Sequence, residues 1–248
     1  MSSLRTGPSL PAAAVLLRMP EKRRKRLMNA GKNLCALILT AAVLTAGYGF
    51  RDLGRPFLKA AAGAAFVIMS VVCTLLGNGR GAARFFPSAA MVLYMIADLV
   101  IQNSFIRGAV WFAAGHAVML IGLVKGDGLH IRDAVSALFA GASVFLLLRF
   151  GPRMRFGKNA PYLIGYAVLL ALTLSKALSC LLSPVWHPHG KVSLAVGMAL
   201  FLLSDWCLAL RLFGLNRTSP FRDLCLTIYY PAVCMLAISG LYVRKKPE

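Results

Sequence analysis

Runs of apolar residues, each near the ~20 residues an α-helix needs to cross a bilayer core, follow one another along almost the whole chain. Their spacing predicts spans over 33–50, 57–77, 85–102, 105–124, 131–149, 161–182, 191–213 and 222–243. Breaker chemistry separates them: Gly54-Arg55-Pro56, Gly77-Asn78-Gly79, Gly126-Asp127-Gly128, Gly151-Pro152, Ser183-Pro184 and Ser219-Pro220. Loops this short make successive helices antiparallel neighbours. The expected fold is all-α, a polytopic transmembrane bundle of about eight spans. It runs from 33 to 243, between a basic tail at 1–32 and a short basic tail at 244–248.

Composition agrees with that reading. Of 248 residues, 58% are hydrophobic and 15% charged, where a soluble domain carries roughly 25% charged. The net charge of +20 does not point to nucleic acid, because the cations sit in a tail and in loops and no groove-reading motif is present. Basic loops flanking apolar spans instead meet anionic headgroups and set topology. The N-terminal tail and Arg244-Lys245-Lys246 place both termini in the cytoplasm, in the cell membrane if the source is bacterial. Arg149, Arg153, Arg155, Lys158, Arg211, Arg217 and Arg222 then lie on the other side. The run after the tail reads as an uncleaved signal anchor, and Leu10 to Leu17 is too short to span. Cys35, Cys73, Cys180, Cys207, Cys225 and Cys234 form no CxxC pair and read as small buried hydrophobes.

Against this background two acids stand out. Asp98 lies inside Met91 to Ile101, and Asp205 ends a similar stretch beginning at Gly197. Both stretches run Met, small or Val, Leu, aromatic, two apolar residues, small, Asp. Charge within a bilayer is costly, so intramembrane acids are rare and face a cavity or a partner. They fall past the middle of spans three and seven, which run in the same direction, as a four-plus-four parallel repeat would require. His116 sits in span four, Tyr166 in span six, and Tyr229-Tyr230 in span eight. Lys59 follows Arg55-Pro56 at the mouth of span two, while Lys176 falls in the opposite half and is expected to snorkel or to meet a structural partner. Tyr94 and Asp98, Phe201 and Asp205, and Phe112 and His116 are each four apart, so each polar group has a ring on its own helix face.

The ordered motifs Ala97-Asp98, Gly115-His116, Ser204-Asp205 and Tyr229-Tyr230 resemble those of the YhhN-like lysoplasmalogenases, integral membrane proteins that include animal enzymes. Departures are Met119, where the family often has Tyr, Arg55-Pro56 at the entrance to span two, and the long basic tail. The resemblance implies hydrolysis of the vinyl ether bond of a lysoplasmalogen or related lysophospholipid to a fatty aldehyde and a glycerophospho-base. Asp98 and Asp205 would divide proton donation and cation stabilisation, by analogy with glycosidase acid pairs. His116 would position water or a partner acid. Tyr229 or Tyr230 would hold the ether oxygen or a carboxylate, with Tyr166, Tyr94 and Ser204 lining the substrate, and Arg55 or Lys59 would meet the phosphate. No cofactor or metal is implied, and the partners are the lipid substrate and membrane lipids. Two other classes stay open: a small-solute or proton-coupled transporter built from parallel repeats, and a metal-dependent hydrolase using His116, Asp98 and Asp205.

Overall fold

A computed structural model describes residues 20–77, 79, 82–150, 157–184, 186–214 and 220–242. The expectations for residues 1–19 and for Arg153, Arg155, Arg217 and Arg244 to Lys246 lie outside the described residues. The described chain is helical: α1 (Glu21–Leu53), α2 (Pro56–Leu76), α3 (Phe86–Val100), α4 (Phe105–Asp127), α5 (Ile131–Phe150), α6 (Ala160–Ser179), α7 (Pro188–Phe213) and α8 (Pro220–Ser239), with short 3-10 turns between some of them. Prolines open α2, α3, α6 and α7, where a missing N–H has no intrahelical acceptor to lose. Gly54 closes α1 in the left-handed region (φ 65°), its N–H bonded to the Phe50 carbonyl at 2.8 Å.

Six of these helices are long and apolar enough to cross a membrane: all but α3 and α5. Two boundaries differ from the sequence reading. The basic run Lys22 to Arg26 belongs to α1, which begins at Glu21 and not at 33. α3 has 15 residues, ~22 Å of helix, because a 3-10 turn over Ala82–Phe85 precedes it. Asp98 lies past the middle of its helix, in the last turn.

The helix partnerships follow a repeat. α1 packs on α2, α2 on α3, α3 on α4, and α2 reaches across to α8. Four helices later α5 packs on α6, α6 on α7, α7 on α8, and α6 reaches across to α4. The likeness that the sequence carries only around the two acids thus extends through the bundle. It breaks at two places among the described residues: α3 packs on α8 where the matching α7 and α4 do not pack to the same extent, and a second break leaves an opening. α1 closes against α8, but the matching pair, α5 and α4, barely touch.

Two polar clusters and one proline tie the layers. Ser70 and Thr74 of α2 each meet the Ser88 hydroxyl of α3 at 3.1 Å. Lys176, 2% exposed, reaches Asp127 and Asp133 at 3.0 Å and the Gly128 carbonyl at 2.6 Å. It is therefore a structural partner and not a snorkelling lysine. Arg132 and Ser183 complete that knot on Asp127. Pro231 inside α8 has no N–H for the Thr227 carbonyl four residues back, and the Tyr48 hydroxyl of α1 donates to it at 3.3 Å. Arg51 adds a 2.8 Å bond to the Thr227 hydroxyl, so the defect in α8 becomes the dock for α1.

Candidate functional site

Each acid meets a polar residue from the helix before its own. Lys59, in the first turns of α2, places Nζ 3.5 Å from Asp98 Oδ1. Both are buried, at 6% and 7% exposure. Tyr166 of α6 donates its hydroxyl to Asp205 Oδ2. In the repeat, α2 corresponds to α6 and α3 to α7, so the two pairs are counterparts with different chemistry. One acid has a cation; the other has a phenol and, among the described residues, no cation in ion-pair range. The rings four residues before the acids, Tyr94 and Phe201, pack on each other with centroids 5.1 Å apart. That contact joins α3 and α7 one turn before the two acids.

Rings fill the space between them. The Tyr94 hydroxyl and His116 Nδ1 share a 2.9 Å hydrogen bond, which Gly115 permits, since the Tyr94 ring lies where a Cβ at that position would be. The His116 ring stands 4.9 Å from Phe201 and 5.7 Å from Tyr166, and Thr173 holds its carbonyl at 3.2 Å. Phe112 and Phe201 carry the contacts on to Tyr229, with centroids 6.3 and 5.5 Å away. Tyr229 stands beside Asp98. Its hydroxyl, the Tyr230 hydroxyl, Asp98 Oδ2 and His116 Nε2 are buried with no formed hydrogen bond among the described residues.

A cavity of about 410 Å³ opens beside Asp205, between α4, α5, α6 and α7. Its walls are apolar apart from Asp205, Tyr166 and the indole of Trp206. The gap exists because α4 and α5 do not close as α8 and α1 do. Asp98 lies behind the closed seam and does not line it.

The sequence candidates therefore divide. Asp98, Asp205, His116, Tyr94, Tyr166, Tyr229 and Lys59 converge on one cluster. Tyr230 packs its ring edge-on to Tyr229 and Tyr48, in space that Gly47 leaves by lacking a Cβ. Ser204 points elsewhere, donating to the Cys225 carbonyl at 3.1 Å and pinning α7 to α8. Arg55 is exposed at the start of α2, one turn from Lys59. No group of three or more His, Cys, Asp or Glu side chains is placed to share an ion among the described residues, so the ligand set of a metal-dependent hydrolase is not assembled from His116 and the two acids. Sequence reasoning gave α5 no part in the site, yet Ala137, Gly141 and Phe145 line the cavity. The signal was a stripe of small residues four apart, Ala137 and Gly141, on an otherwise apolar helix.

The sequence model of the YhhN family matches residues 55–240, most of the chain, including both acids, His116, Lys59 and Tyr166. No curated protein and no solved structure matches it.

Proposed function

The chain belongs to the YhhN family, and on that premise we propose that it is a membrane-embedded hydrolase of the vinyl ether bond in a lysoplasmalogen or related lysophospholipid. The observation that carries the reading is a buried carboxyl, Asp205, bonded to a phenol and set in an apolar cavity at bilayer depth. Enol-ether hydrolysis needs a proton delivered to carbon, a stabilised oxocarbenium-like cation, and water to trap it. Asp205 is the acid that reaches the cavity, so it is the proton donor. Protonation of the vinyl carbon distal to oxygen leaves the cation on the adjacent carbon and oxygen. Water adds there, its surplus proton returning to the Asp205 carboxylate, and the hemiacetal collapses to aldehyde and free alcohol.

Asp98 takes the second role at a distance. Paired with Lys59 behind the ring cluster, it supplies a fixed negative charge that favours the cation forming near Asp205. Tyr166 orients Asp205, and the His116 ring, fixed by Tyr94, backs Tyr166. Lys59 is occupied by Asp98, which leaves the exposed Arg55 to meet a phosphate at the surface.

The test is aldehyde release from a lysoplasmalogen by purified protein in lipid nanodiscs, with Asp205→Asn and Asp98→Asn alongside. Release by the wild type and by neither variant is expected. Release by a folded Asp205→Asn protein would remove Asp205 from the chemistry, and none from a folded wild type would remove the reaction. A transport reading draws on the repeated helix partnerships, a known carrier design. Uptake of substrate into proteoliposomes without breakdown would favour it.

A further inference from the structure

The polar ties of α6 to α4 and α5 gather in one half of the helix. From Thr173 onward they include Thr173 to the His116 carbonyl, Ser175 to the Asp133 carbonyl, Lys176 to Asp127 and Asp133, and Ser179 to Arg132. In the other half the tie runs to α7 instead, from Tyr166 to Asp205. The three helices are thus clamped at one end and spread at the other, and the cavity fills the spread. Its walls are kept back by small residues. At Gly141 an added Cβ would meet nothing within 4 Å. Val168 and Phe145 line the cavity while 52% and 64% exposed, so it opens sideways towards the bilayer.

Two dimensions say what such a space holds. At about 410 Å³ it lies at the small end of ligand cavities, ~300–1,000 Å³, with room for one hydrocarbon chain beside Asp205. Along α6 the wall runs from Leu163 to Leu172, and from Tyr166, the partner of Asp205, it continues for six residues or ~9 Å of helix. A hydrocarbon chain that fills one leaflet is ~15 Å long. A chain whose polar linkage sits at Asp205 outruns the wall, and its remainder leaves through the open side.

We propose that the cavity between α4, α5, α6 and α7 is a laterally open site for the chain of a single-chain amphiphile arriving from within the bilayer, and that it is indifferent to the length of that chain. It rests on the hydrolase reading only for the placing of the linkage at Asp205. The physical reason for the indifference is that methylenes beyond the mouth stay in bilayer hydrocarbon and gain nothing from the protein. A closed tunnel would behave differently, because each methylene past its end must be forced out of hydrocarbon, a loss of about fourfold per CH2.

The experiment uses the full chain in nanodiscs with photoactivatable alkyl-ether lysophospholipids, which carry no vinyl ether and are not turned over. Chains from dodecyl to eicosyl are compared at one mole fraction, and labelled peptides are mapped. Labelling of α5 and α6 is expected to vary less than about twofold across the series, and to fall about tenfold in Gly141→Phe. A fall of about fourfold or more per CH2 beyond a cut-off length would overturn the open site. Should Gly141→Phe misfold, Ala171→Phe blocks the facing wall, and undiminished labelling in a folded blocking variant would overturn the location. Absence of aldehyde release would count against the hydrolase reading alone, since these probes report binding without chemistry.

Discussion

Replacing Lys59 with Met removes the only cation paired with Asp98 among the described residues and keeps the length and apolar stem of the side chain. At 3.5 Å and an effective dielectric constant of ~20, the pair interacts with about 5 kcal/mol. Loss of one partner from a buried pair costs about 3–5 kcal/mol, since the remaining charge has no water to turn to. Asp98 has little else, with Oδ2 unbonded and Tyr229 as its polar neighbour. Lys59→Met is therefore expected to lose about 3–5 kcal/mol of stability, a drop of roughly 10 °C in thermal midpoint. The double variant Lys59→Met with Asp98→Asn removes the stranded charge and is expected to recover more than half of the loss. Thermal and denaturant unfolding of all four proteins in the same detergent completes the cycle. A single variant within about 1 kcal/mol of wild type, or a double variant no better than the single, would refute the buried pair.

Three further substitutions separate roles within the site. Tyr166→Phe removes the hydroxyl that orients Asp205 but keeps the ring against His116; kcat is expected to fall about 10²-fold with KM little changed, read from steady-state aldehyde release. Gly115→Ala drives a methyl into the Tyr94 ring and is expected to destabilise by about 1–3 kcal/mol, with loss of the Tyr94–His116 hydrogen bond visible in the histidine NMR signals. Ser204→Ala is expected to cost about 1 kcal/mol of stability and leave kcat/KM unchanged. A selective loss of turnover would instead return Ser204 to the substrate.

Much of this protein is local in origin and so was legible in the sequence. A bilayer demands about 20 apolar residues per crossing, and Gly and Pro punctuate the backbone wherever they stand, so the number of helices and their approximate limits follow from the chain itself. That each acid has a ring on its own helix face followed too, because residues four apart share a face. Tertiary structure decided what faces them. Lys59 and Tyr166 lie far along the chain from Asp98 and Asp205, and only the packing of α2 on α3 and α6 on α7 makes one acid an ion-pair partner and the other a phenol's acceptor. It also decided which acid meets the cavity. A repeat in sequence says nothing about where its symmetry fails, and the failure at α4 and α5, where the knot around Lys176 clamps one end and lets the other spread, is a balance among helices that no single segment carries.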